Sequence, residues 1–537
     1  MKKEILFIVV VAIFTLLSAK ALFHTGFFRT IDDITTVRID YLKRELQRGN
    51  FINNFPVRMS GELANGFGYP LYLFYAPLTY YAGAFLMIFF NLSDIVATKY
   101  VYVFPLLIGP FAFYLAARVK MGAWAAAVGA ILFAFFPYRG TNTYFRGAVA
   151  EAWAIAFIPL VFWGIFLMQK KYKFGNLVFS FSLFLVFVSH NIVGMLLGIF
   201  TVLYGLCFLR KSKDFWKFFA LGILMAAFYL LPMIFYLKQI RVTYLDINKT
   251  YTLQTLEPIG EFFKMNFGQL VWRVSGIFSL ILIGGLAFFI KAKKVNKEIF
   301  FWGVSGLVLY LLLFEPFSFF WKFTSPISGI LQFAWRILSL LAFIIPLFLG
   351  FWLDRIKSLY FKIGLCAVVV FAVLSFLPSF KPAEYSYYYQ YVVAGECATT
   401  SWQDEYLPKW VGGCPKSKAP LQTLSKDDAD INITMDNSLL VDAQVNANKS
   451  TKLIANKFYF PGWHVFVDGA ESKINWPYTL DGLFSIDIEK GEHRVSVVWQ
   501  KTIVMWIADL ITTFAFGIFF YLLATELRKI ILKSGKM

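Results

Sequence analysis

Asp32 and Asp33 stand side by side just past the first apolar run, Ile5–Phe23, with Lys2 and Lys3 behind that run. Adjacent carboxylates at a membrane border suit one task well: taking the proton from an acceptor hydroxyl as a new bond forms. A carboxylate is base enough when the leaving group is good, as a phosphate on a lipid is. On the membrane face away from ATP and nucleotide sugars, such a substrate would have to be lipid-carried. Asp33 would be the base, and Asp32 would position it or hold a divalent cation, Mg or Mn. The same pair fits a plainer role, because it precedes an amphipathic helix whose open N–H groups an Asp side chain caps. Spacing alone leaves both roles open.

Other polar residues gather at the ends of apolar runs. Arg139, Arg146 and Glu151 follow Pro137-Tyr138. Guanidiniums grip phosphate through charge-assisted hydrogen bonds, and an acid at the mouth of a span usually has a partner or a task. A pair between Arg146 and Glu151 is the simpler alternative. Arg58 shares the first polar loop with the acid pair, ahead of the tight turn Gly66-Phe67-Gly68-Tyr69-Pro70. His190, next to Asn191, falls between two apolar runs, where a packed, hydrogen-bonded histidine is the simpler role. Arg336 follows Trp335 at headgroup level, placed to meet a lipid phosphate or to anchor the helix. Asp509 lies within the last apolar run and calls for a partner, on a neighbouring helix or at Lys501. Trp402, Asp404, Glu405 and Tyr406 mix aromatic faces with acids, a weak sign of sugar binding. Four histidines without ligand spacing argue against zinc, and Walker A, GxGxxG and HExxH patterns are absent.

The elements that must position these residues are membrane helices. The chain is 59% hydrophobic and 20% aromatic, with mean hydropathy +0.63, outside the range of soluble domains. Spans are predicted at 5–23, 97–117, 123–137, 152–168, 175–189, 192–209, 216–236, 274–290, 299–314, 337–353, 363–378 and 503–524. The first lacks a cleavage site and reads as a retained anchor. The net charge of +19 does not point to nucleic acid. It sits in short clusters between spans, such as Lys170/Lys171/Lys173 and Arg210/Lys211/Lys213, which is the positive-inside pattern. Stretch 71–92 is long enough to cross, yet counting it would put every later cluster outside. It is therefore predicted as a re-entrant or interfacial helix, which gives about 12 crossings with both termini cytoplasmic.

On this topology the first outer loop, 24–96, carries interfacial helices, including Ile34–Arg48 lying along the membrane surface. Residues 1–378 form the transmembrane domain. Residues 379–502 turn more acidic, and Leu439–Val445, Thr451–Phe460, Trp463–Val467, Leu483–Ile488 and Arg494–Trp499 mostly alternate between Gly-containing turns. They read as a small extracytoplasmic β-sandwich, in which Cys397 and Cys414 suit a disulfide. Residues 503–537 are the last span and a basic cytoplasmic tail.

Several of these motifs resemble a known group. Ile31-Asp32-Asp33-Ile34, Phe55-Pro56-Val57-Arg58, Gly66–Leu71 and Phe74–Leu78 are similar to bacterial multipass proteins labelled 6-pyruvoyl-tetrahydropterin synthase-related. Pro137-Tyr138-Arg139, Arg146…Glu151, Ser189-His190-Asn191, Gln332…Trp335-Arg336 and Asp404–Pro408 extend the likeness over most of the chain. Tyr459–Trp463 with Val467-Asp468-Gly469 resembles the outer domain of YfhO-like membrane proteins. The pterin-synthase part of the label carries no chemistry here, since that enzyme is soluble and needs a zinc site. The layout resembles GT-C glycosyltransferases. That resemblance implies an α-helical polytopic fold in the bacterial cell membrane and an inverting transfer of sugar. The donor would be a polyprenyl-phosphate-type carrier, and the acceptor an envelope glycan, lipid or protein. Asp33 matches the group's acid, whereas Asp32 replaces a common His. Arg58, Arg139, Arg146 and Arg336, with Glu151 and His190, would serve the carrier phosphate. The rival readings are a transporter or flippase of lipid-linked sugars and a non-catalytic envelope-assembly scaffold.

Overall fold

The structure is a computed structural model that describes residues 2–32, 34–242, 252–264, 275–292, 296–324, 329–386, 397–400, 404–415, 419–476 and 481–534. The main helices are α1 (Lys2–Ala19), α2 (Thr35–Gln47), α3 (Leu78–Phe90), α4 (Asp94–Arg118), α5 (Ala123–Ala134), α6 (Val149–Gln169), α7 (Phe174–Ser189) and α8 (Asn191–Phe208). They continue with α9 (Lys213–Met225), α10 (Ala227–Tyr236), α11 (Gly276–Lys291), α12 (Lys297–Leu311), α13 (Leu338–Arg355), α14 (Leu359–Phe376) and, after the strands, α15 (Ile503–Ser534). Every predicted span overlaps helical residues, the one at 216–236 as two helices, α9 and α10. By length and apolarity, however, eight helices among the described residues can cross a membrane, or nine if α9 and α10 count as one span. The expected count of about 12 also includes the shorter helices α7, α11 and α12. α9 and α10 meet at a 68° bend, and α7, α11 and α12 have only 16, 16 and 15 residues. At 1.5 Å per residue each of these three is about 24 Å long or less, short of the ~30 Å hydrocarbon layer.

The helix around α13 is the axis of the bundle: 94% of its apolar window is buried, against 28% for the first and last helices. Stretch 71–92 does not form one long helix. It breaks at Tyr75–Pro77 into a short turn, Leu71–Phe74, and α3, whose 13 residues span about 20 Å. The helix ends that carry basic clusters gather at one end of the bundle. There Arg118 pairs with Glu4, Lys120 with Glu298, and Asp354 accepts from the Gly122 N–H. Asp32 and the strands belong to the opposite end.

α2 differs from the surface-lying helix predicted. Its buried residues include Thr36, Arg38 and Glu45 as well as Val37, Ile39, Leu42 and Leu46, because it is packed on more than one side. α3 and α4 cover one flank, where Thr98 donates to Thr36 (3.1 Å). The β domain covers the far end, where Ser438 donates to Glu45 (2.7 Å).

The strands are β1 (Leu421–Thr423), β2 (Ala429–Asn437), β3 (Leu440–Ala447), β4 (Thr451–Phe458), β5 (Trp463–Val467), β6 (Ala470–Ser472), β7 (Leu483–Ile488) and β8 (Gly491–Trp499). They form two antiparallel sheets, β1-β4-β7 and β2-β3-β8-β5-β6. The inward set alternates as a half-buried strand requires: Val441, Ala443 and Val445 on β3 meet Val495, Val497 and Trp499 on β8 and Phe484, Ile486 and Ile488 on β7. A disulfide joins Cys397 to Cys414. The sandwich docks on the first loop through the Phe458 N–H to Phe67 O bond (2.9 Å) and the paired rings of Phe67 and Phe458 (5.2 Å).

Candidate functional site

Three chain segments make the rim at the end opposite the basic clusters. α5 leads into the turn Pro137–Thr141, then a wide turn, Asn142–Arg146, then Gly147 and α6. Glu151 falls in the first turn of α6. The Asp32 segment runs against this turn: the Ile31 N–H donates to Phe145 O (3.0 Å) and the Asp32 N–H to Arg146 O (2.7 Å). Gly147 makes that approach possible. Its φ is +74°, and a Cβ there would stand 2.2 Å from Thr30 Oγ1 and 3.1 Å from Asp32 O.

Glu151 is buried and fully engaged. Tyr138 donates to Oε1, and Arg146 Nη1 donates to Oε2 (3.0 Å). The same Nη1 reaches Asn142 Oδ1 (2.7 Å) and Tyr138 Oη (3.3 Å). Arg146 thus pairs with Glu151, as the simpler alternative held, while its Nη2 and Nε make no hydrogen bond among the described residues. Arg336, at the start of α13, donates through Nη1 to Leu331 O (3.0 Å) and Gln332 Oε1 (2.6 Å). Among the described residues its Nε is buried without a hydrogen-bond partner, as is Asn142 Nδ2. Arg336 and Asn142 can therefore each donate a further hydrogen bond at the rim.

His190 caps α8: its Nδ1 accepts from the Val193 N–H (3.2 Å). That leaves the proton on Nε2 and the ring neutral, on the tautomer logic of imidazole. Glu151 lies within electrostatic reach of Arg146, Arg336 and the His190 ring, so these four residues share one neighbourhood. Asp32 belongs to the same field. It is half-buried, and burial raises its carboxyl above the usual range against the pull of Arg146, Arg38 and Arg336. Asp33 lies outside the described residues, as do Trp402 and Gln403.

Two predicted residues are placed elsewhere. Arg139 is buried beneath the rim, where its guanidinium serves the carbonyls of Phe133 (3.0 Å), Ala134 (3.2 Å) and Pro105 (2.8 Å). With its guanidinium spent on backbone carbonyls of α4 and the end of α5, Arg139 ties these two helices together. Arg58 is likewise turned away: it binds Asp509 (2.5 Å) and Phe228 O (3.0 Å). Lys501 completes that cluster through Asp509 (2.9 Å), which gives Asp509 both a neighbouring partner and the lysine expected for it.

Arg38 is the residue that sequence reasoning missed. It is fully buried, donates to Tyr80 Oη (3.1 Å), Thr400 Oγ1 (3.2 Å) and Thr400 O (3.2 Å), and stacks on Tyr75 at 3.9 Å. The available signal was the run of tyrosines at 69, 72, 75 and 80, which offers both hydroxyls and faces to a cation. Asp404–Pro408 docks nearby, with the Tyr406 ring against Phe74 and Tyr75. Among the described residues no three His, Cys, Asp or Glu side chains gather as a metal site would. Glu151 is taken by Arg146 and Tyr138, which leaves Asp32 as one carboxylate. The described residues do not fit a Mg or Mn site.

No curated protein is similar enough in sequence to match this chain. Solved structures offer partial superpositions. Arabinofuranosyltransferase AftD from Mycobacteria pairs with 70% of this chain at 14% identity and TM-score 0.46. The oligosaccharyltransferase of Archaeoglobus fulgidus pairs with 71% at 11% identity and TM-score 0.46. ArnT from Cupriavidus metallidurans, bound to undecaprenyl phosphate, pairs with 68% at 14% identity and TM-score 0.35. The chain spans 27%, 56% and 63% of those proteins, respectively. The family described as 6-pyruvoyl-tetrahydropterin synthase related domain, membrane protein, matches residues 72–382. That is more than half of the sequence, and the chain belongs to this family of membrane proteins.

Proposed function

We propose that this protein is a GT-C-type membrane glycosyltransferase. It moves a sugar from a polyprenyl-phosphate-type carrier to a glycan, lipid or protein acceptor. The observation that carries this reading is the stitching of the Asp32 segment to the Arg146 turn, which holds Asp32 beside the Arg146 guanidinium where apolar helices end. In an inverting displacement the acceptor hydroxyl gives its proton to Asp33 as its oxygen bonds to the sugar's anomeric carbon. The bond from that carbon to the carrier phosphate breaks, and the phosphate leaves with the electron pair. Arg146 and Arg336 neutralise the departing phosphate, which is the largest catalytic contribution. Asp32 positions the base. Arg58 and Arg139 have no part in this step, because both guanidiniums are committed elsewhere.

The basic helix ends support sidedness: the positive-inside rule puts them, and both termini, in the cytoplasm of a bacterial cell. The rim and the β domain then face outward, towards an envelope acceptor. Acids at helix ends rather than at mid-span favour an enzyme over a transporter. The test is binding of undecaprenyl phosphate to the protein in nanodiscs. Arg336→Gln, and separately Arg146→Gln with Glu151→Gln so that no buried charge is orphaned, should each weaken it by about tenfold or more. Unchanged affinity in both would refute the phosphate site.

A further inference from the structure

A polar hollow lies away from the rim. A cleft of about 200 Å³ opens between the turn 61–67 of the first loop and the β domain, bordered by Arg48, Glu62, Asn65, Asp436 and Lys457. Lys457 is 5% exposed, yet its ammonium makes a single hydrogen bond among the described residues, to Gly66 O (2.8 Å). The carboxylates of Asp436 and Glu45 act on it from a distance, and neither is paired with it. A buried ammonium with donors to spare is costly unless something else accepts from it. Arg48 is differently placed, because Glu45 and Glu62 both bind it.

The wall therefore alternates donors (Lys457, Arg48, the Asn65 amide) with acceptors (Asp436, Glu62, Gly66 O). The two lining carboxylates are balanced by two lining cations, so the cleft as a whole favours neither an anion nor a cation. Hydroxyl groups both donate and accept, so a neutral polyol matches the lining. The volume, about seven waters' worth, has room for one monosaccharide unit and none for a nucleotide. Position adds a constraint. α2 joins the Asp32 segment to this cleft, and its 13 residues set the two about 20 Å apart. The cleft cannot share a sugar with the reacting centre.

We propose that this cleft is a distal acceptor subsite, holding an uncharged, hydroxyl-rich sugar unit several residues away from the hydroxyl that reacts. The assignment rests on the glycosyltransferase reading, and its test is separable from that reading. Saturation-transfer NMR on the full chain in nanodiscs would use methyl glycosides of common hexoses and pentoses as probes, with inorganic phosphate in parallel. At least one glycoside should bind, and Lys457→Met should weaken it about tenfold or more. Asp436→Tyr, at an exposed β2 position on the cleft mouth, should do the same by filling the space. Asp33→Asn should bind the glycoside as the wild type does while losing transfer. Glycoside binding indifferent to both cleft variants, no glycoside binding at all, or binding of phosphate alone would each overturn the subsite. Wild-type protein that binds the glycoside at the cleft but transfers no sugar would instead defeat the glycosyltransferase reading.

Discussion

Gly147→Ala tests whether the Asp32 segment must lie against the Arg146 turn for activity. Two effects can be computed apart. The left-handed backbone at φ +74° costs about 1–2 kcal/mol with any Cβ. The new methyl would also stand 2.2 Å from Thr30 Oγ1 and 2.7 Å from Thr30 Cβ. Since Cβ is involved, turning the Thr30 side chain does not relieve the overlap, and the chain at residues 30–32 must retreat by about 1 Å. Misplacement on that scale costs about 10²-fold in rate. Gly469→Ala is the control, with φ +85° and nothing within 4 Å of its Cβ; it carries the backbone strain without the overlap. Both variants should lose stability in denaturant unfolding, Gly147→Ala the more, and only Gly147→Ala should lose sugar transfer. Adding Thr30→Gly to Gly147→Ala should restore most of the rate by making room. Equal transfer rates in the two single variants would mean that this approach of the Asp32 segment does not matter for transfer.

Arg58 and Asp509, with side chains 3% and 14% exposed, should show a coupling of about 1.5–3 kcal/mol in a Leu double-mutant cycle read by unfolding; additivity would mean that the pair does not pin α15 to the first loop. Burial lowers the Lys457 amine to about 8, so the folded state binds fewer protons than the unfolded one between that value and the ordinary 10.5. Stability attributable to Lys457 should therefore rise with pH across that window and stay flat below it. Wild type minus Lys457→Met unfolding energies, measured from pH 7 to pH 10, check the sign, and a difference independent of pH contradicts it.

The apolar runs of the bundle were legible because each is a continuous hydrophobic stretch, and the helix positions follow from that alone. Their reach across a membrane was less plain, since α7, α11 and α12 have only 16, 16 and 15 residues. β3, β4, β5, β7 and β8 announced themselves by alternation. β2 did not: its row Ala429–Asn437 is mostly polar and largely exposed, as an edge strand is, and β1 and β6 have three residues each. Arg146 and Glu151 could be paired on paper because one turn separates them. The fates of Arg58, Arg139 and Arg38 could not. Each is decided by a partner far along the chain or by backbone carbonyls, at Asp509, Pro105 and Thr400, that no local pattern announces.

The most direct measurement is single-turnover release of polyprenyl phosphate from a lipid-linked sugar by purified protein in nanodiscs, wild type against Asp33→Asn. The account predicts that Asp33→Asn stays folded and binds the carrier but releases it about 10²–10⁴-fold more slowly. Release at the wild-type rate from that variant would contradict it.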